Sequence, residues 1–70
     1  MGVEDKAKLR KLLSYWMEHN QEHSQEVRDW AGRAKTLGEV EVAEEMLRAA
    51  QSMDKASGLF SRSLERLKEA

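Results

Sequence analysis

The sequence has no cysteine, no proline and no long apolar run. The absence of cysteine excludes disulfide bonds, iron–sulfur clusters, thiol catalysis and zinc sites built from thiolates. Without proline, nothing forces a helix to break. No apolar run approaches the roughly 20 residues of a membrane-spanning helix, and the first residues lack the apolar core of a signal peptide. We therefore expect a cytoplasmic protein with no membrane partner.

Charged residues are abundant, but the two signs are balanced. Lysine and arginine contribute 12 residues and aspartate and glutamate 13, which leaves a net charge of −1 at pH 7. This balance gives no overall attraction to nucleic acid, so we expect no nucleic-acid partner. No serine is visibly paired with a base and an acid, and no glycine-rich loop precedes a helix. We therefore expect that the protein is not an enzyme.

The remaining composition is dominated by alanine, leucine, glutamate, lysine, arginine, methionine and glutamine, which favour helices. In the first half of the chain, apolar residues recur at alternating steps of three and four, the spacing that keeps side chains on one helix face. We predict a helix over about residues 4–35. Its stripe consists of Leu9, Leu13, Trp16, Asn20, His23, Val27, Trp30, Ala34 and Leu37.

The second half repeats this spacing and predicts a helix over about residues 39–69. Between the helices, residues 36–38 form a turn, because Gly38 suits the left-handed conformation that closes a helix. Gly58 is either a point where another backbone approaches closely or a weak point within the second helix. The second stripe consists of Ala43, Met46, Ala50, Met53, Ser57, Phe60, Leu64 and Leu67.

These patterns predict one all-α domain over residues 1–70, an antiparallel two-helix hairpin. Both stripes are too wide for one hairpin to cover, and burying one large apolar side chain contributes about 1.5–3 kcal/mol. We therefore expect a homodimer that forms a four-helix bundle and acts as an interaction or scaffold protein, with another protein as the alternative partner. The predicted core and interface residues are Leu9, Leu13, Trp16, Met17, Asn20, Val27, Trp30, Met46, Met53, Phe60 and Leu64.

The first helix also carries a histidine pair, His19 and His23, which we expect on its buried side. Four-residue spacing brings two imidazoles together on one face, as in helices that bind one metal ion. With Glu22 and Glu26 as oxygen ligands, the pair could bind zinc, nickel, iron or copper. A polar layer that fixes register is the favoured alternative, so we expect no cofactor. If His23 is buried and neutral, assembly would also weaken on acidification.

The segment from Leu9 to Trp30 contains Leu-Leu-x-x-Trp-Met-Glu-His-Asn-x-x-His. With its Trp-x-Glu-His-Asn motif, it resembles a small uncharacterised helical family of archaea and anaerobic bacteria. The resemblance implies a first helix with this motif and a second helix rich in alanine and glutamate. It implies no activity.

Overall fold

The computed structural model describes residues 2–69, and these form two antiparallel α-helices with no strand among them. Helix α1 spans Val3–Thr36 and helix α2 spans Val40–Glu69. The hairpin is a rod with principal extents of 53 × 14 × 14 Å. The predicted all-α helical hairpin is confirmed.

Two backbone hydrogen bonds end α1 and form the turn. The amide of Glu39 donates to the Ala34 carbonyl at 2.9 Å, and the amide of Gly38 donates to the Lys35 carbonyl at 3.0 Å. This 6→1 and 5→2 pairing is the Schellman motif, which requires a left-handed residue just past the helix end. Gly38 fills that position with φ of 88°, as the sequence predicts.

Alanine is expected to raise the free energy of unfolding at Gly32 and Gly58 and to lower it at Gly38. Gly32 and Gly58 lie inside helices, and a Cβ at either would meet no atom within 4 Å. Each change to alanine should therefore raise the free energy of unfolding by about 0.5–1 kcal/mol. Gly38→Ala should lower it by about 1 kcal/mol, because its left-handed φ opposes a Cβ. Urea unfolding of the three variants measures both signs.

A stabilising Gly38→Ala would contradict the turn described above. A destabilising Gly58→Ala would mean that another backbone does approach this residue. In the single chain no atom lies within 4 Å of a Cβ built at Gly58, so no backbone of the same chain approaches it closely.

The two helices meet along a seam of small side chains. We use "seam" for the buried residues between α1 and α2, none of which is a large side chain that is fully buried. Small residues at the contact let two helix axes approach closely. On each helix the small members recur seven residues apart, which keeps them on one face. The seam consists of Leu13, Ser24 and Ala31 from α1 and Ala43, Ala50 and Ser57 from α2.

The seam agrees with the predicted stripe on α2 but is rotated from it on α1. On α2, the buried Ala43, Ala50 and Ser57 all belong to the predicted stripe. On α1, the expectation of buried histidines is corrected, because His23 is exposed and its neighbour Ser24 is buried. The wide apolar stripe of α1 therefore packs against α2 mainly along one edge, and on its other edge Trp16 and Trp30 remain largely exposed.

Candidate functional site

The edge of the α1 stripe that carries Trp16 and Trp30 forms one continuous surface with the adjacent side of α2. We call this surface the open face. Trp16 and Phe60 join the two helices there, with ring centroids 6.0 Å apart. Helical spacing places the rest of the surface in line with these two residues. The open face comprises Leu12, Trp16, His19, His23 and Trp30 of α1 and Val42, Ala49, Met53, Ala56 and Phe60 of α2.

Two tryptophans flank the middle of the open face and remain largely in contact with solvent. Trp16 is 41% exposed and Trp30 is 51% exposed. The guanidinium of Arg33 lies 4.5 Å from the centre of the Trp30 ring, a cation–π contact within α1. Trp16 packs on Phe60 and lines a shallow groove with His19 and Asn20. Large aromatic side chains left half in water are typical anchors of a protein interface.

The total surface of the chain is larger than its mass requires. The accessible surface is 5623 Å². A compact monomer of 8.1 kDa would expose about 4,500 Å², so this chain exposes roughly 1,100 Å² more. A standard interface covers about 800 Å² on each partner. The excess is therefore large enough to supply one full interface.

Three aromatic rings form a column along α1, in which His19 and His23 belong to the open face and Tyr15 lies beside it. Tyr15 stacks on His19 with centroids 5.3 Å apart and an interplanar angle of 14°. His19 meets His23 edge to face, with centroids 4.4 Å apart. The two Nε2 atoms of the histidines lie 3.1 Å apart, and one donates to the other according to tautomer. All three rings are exposed, so the column is accessible from solvent.

The predicted oxygen ligands do not join this pair. Glu22 and Glu26 are exposed on α1. No group of three or more His, Asp or Glu side chains within the described part of the chain could hold a metal ion. The structure thus brings His19 and His23 together and leaves both carboxylates outside the cluster. A single chain offers a metal two ligands.

A polar cluster lies on the opposite side of the seam and was not predicted as a unit. The Ser24 hydroxyl approaches the Asp54 Oδ1 at 2.6 Å and the Ala50 carbonyl at 3.3 Å. Arg28 forms an ion pair with the other oxygen of Asp54. The Ser24 hydrogen bond lowers the pKa of Asp54, burial opposes this, and Arg28 lowers it further. The seven-residue spacing of the small residues Ser24 and Ala31 is the pattern in the sequence that could have predicted that Ser24 faces α2.

One polar contact supports the open face from behind. Asn20 donates from Nδ2 to the Met53 carbonyl at 2.9 Å and so ties the two helices together beneath the groove.

Of the predicted core and interface residues, Leu13 is buried and the two tryptophans are exposed. The remaining eight are partly buried: Leu9, Met17, Asn20, Val27, Met46, Met53, Phe60 and Leu64.

Within residues 2–69, neither helix has the length and apolar content needed to cross a membrane. Searches of curated proteins and of solved structures found no significant match to this chain. A family model for a domain of unknown function, DUF8180, matches residues 9–67. This match includes most of both helices, the turn and the open face. The chain therefore belongs to the DUF8180 family, a helical-hairpin domain whose function is unknown.

Proposed function

We propose that this protein is a non-catalytic homodimeric scaffold whose two copies pair through their open faces. The observation that carries the proposal is the exposure of two tryptophans on the open face, Trp16 at 41% and Trp30 at 51%, on a chain whose total surface is roughly 1,100 Å² larger than that of a compact monomer. A second copy fits this surface because the face is long, straight and apolar, and a two-fold axis lets one patch cover itself.

The distribution of side-chain sizes supports the same pairing. The seam that closes the hairpin contains mainly alanine and serine, whereas the large aromatic residues of α1 lie on the open face. Trp16, Trp30 and Phe60 would supply the central anchors that dominate binding energy in most interfaces. A four-helix bundle would bury these aromatic side chains, which the single hairpin leaves partly in water, and their burial would stabilise the dimer.

Sedimentation equilibrium at micromolar concentration tests the proposal, with Trp30→Lys as the decisive variant. Trp30 packs on Arg33 of its own helix, so the hairpin should stay folded. Each dimer loses two tryptophans, and at about 1.5–3 kcal/mol each this weakens the dimer constant by at least about a hundredfold. The wild type should sediment as a dimer and the variant as a folded monomer.

Leu47→Lys is the matched control. Leu47 is also a large apolar residue and is 41% exposed, but it lies seven residues before Asp54, on the side of α2 opposite the open face. This variant should dimerise as the wild type does. A wild type that is folded and monomeric at high micromolar concentration would refute the proposal. Equal weakening by both lysines would also refute it, because the open face would then have no special role.

A further inference from the structure

We propose that His19 and His23 bind a divalent transition-metal ion, and that the pair from a second copy completes the coordination at the centre of the dimer. This inference rests on the proposed pairing of open faces. It assigns a ligand to the histidine pair on that surface.

The separation of the two Nε2 atoms is close to the distance between two nitrogen ligands of the same metal ion. Zinc lies about 2.0–2.1 Å from imidazole nitrogen, so two such ligands of a tetrahedral ion are about 3.3 Å apart. In the hairpin, His19 Nε2 and His23 Nε2 are already 3.1 Å apart. The separation of the two nitrogens therefore already suits one ion, which would replace the shared hydrogen bond once both lone pairs turn towards it.

The first ring of the pair is held in position before any ion binds. Tyr15 stacks on His19, and this contact restrains the ring from the side away from His23. Preorganisation of this kind reduces the entropy lost on binding. Both imidazoles are exposed, which leaves the nitrogens open to an incoming ion. Imidazole ligands suit zinc, copper and nickel.

The second copy supplies what one chain lacks. Within the described residues no third side chain joins the pair, whereas structural zinc sites have four protein ligands. Helix α1 runs from Val3 to Thr36, so its midpoint falls between His19 and Asn20. Full overlap of two copies of α1 about a two-fold axis, parallel or antiparallel, brings the two histidine pairs into the same layer.

Calorimetric titration of tag-free protein with Zn²⁺, combined with sedimentation in EDTA and in zinc, tests this inference. We expect one ion for every two chains and a dimer constant tightened by at least about tenfold in zinc. The double variant His19→Ala/His23→Ala should lose both effects and remain helical. The control Glu22→Gln/Glu26→Gln should bind zinc as the wild type does, since neither carboxylate joins the pair.

The outcomes separate this inference from the proposed function. A dimer in EDTA that binds no zinc would refute the metal site and leave the scaffold standing. One ion per chain without a change in association would refute the shared site. A chain that is monomeric in EDTA and dimeric in zinc would support the shared site and contradict a metal-independent dimer. Equal zinc affinity in the double histidine variant would also overturn the assignment.

Discussion

Ala50→Leu is expected to lower the free energy of unfolding by about 2–3 kcal/mol, because overpacking a tight contact forces side chains or backbones to move. Ala50 has 0% exposure and is the middle one of the three seam residues of α2. The contact with α1 leaves no room for three additional carbons. Since leucine is nearly as good a helix former as alanine, the loss would report packing alone. Urea unfolding followed by far-ultraviolet circular dichroism measures it.

Ser52→Leu is the control for added side-chain size. Ser52 lies two residues further along α2 and is exposed. The change should leave stability unchanged or raise it by a few tenths of a kcal/mol through helix propensity. The seam as described would be contradicted if Ala50→Leu unfolded at the same urea concentration as the wild type. Both variants should be measured at one protein concentration, because dimerisation links stability to concentration.

The two buried serines are expected to respond oppositely to alanine. Ser24 and Ser57 are similarly buried, at 2% and 4% exposure. The hydroxyl of Ser24 donates to Asp54 Oδ1 and also lies 3.3 Å from the Ala50 carbonyl oxygen, whereas that of Ser57 has no hydrogen-bond partner among the described residues. Ser24→Ala should therefore cost about 1–2 kcal/mol, and Ser57→Ala should be neutral or stabilising by up to about 1 kcal/mol. Thermal unfolding of the pair measures the difference.

The pH dependence of stability gives an independent measure of the Ser24 contact. The pKa of Asp54 is lowered in the folded chain, first by the Ser24 hydrogen bond and then by Arg28. Its contribution is fully present above the unfolded value of about 3.9 and is lost as pH falls through the lower folded value. Ser24→Ala should weaken this acid dependence, and Ser57→Ala should leave it unchanged. Identical acid profiles for the two variants would contradict the assigned hydrogen bond.

Much of the fold could be predicted because its causes are local. The three-and-four spacing of apolar residues indicates both helices, and Gly38 indicates the turn through its left-handed φ. On α2 the same spacing also indicates the buried face, since Ala43, Ala50 and Ser57 lie on the predicted stripe. Local sequence was sufficient wherever one residue type or one period determined the backbone.

The rotation of α1 could not be predicted from apolar spacing alone. The predicted stripe is weighted by large residues such as Trp16 and Trp30, whereas α2 packs against the edge that carries Ser24 and Ala31. When a stripe is wider than one contact, its period does not show which edge faces the neighbouring helix. The seven-residue spacing of small residues on both helices was the available signal, because close helix approach requires small side chains.

The candidate site followed the same division between local and long-range causes. The meeting of His19 and His23 depends only on their four-residue spacing and could be predicted. Their exposure depends on how α1 is rotated against α2, so the expectation that they are buried is wrong for the single hairpin. A pH-responsive assembly required a buried His23, and the single hairpin does not provide one.

The antiparallel path of the chain also determines the order in which its cross-helix contacts can form. The Ser24–Ala50 contact closes a segment of 26 residues, and the Asn20–Met53 contact encloses it with 33. The Trp16–Phe60 contact encloses both. The entropic cost of closing a loop rises only slowly with its length. Each of these contacts therefore loses little additional entropy once the contact nearer the turn has formed. The cross-helix contacts should therefore form in order outward from Gly38, and the Trp16–Phe60 contact should form after the two contacts that it encloses.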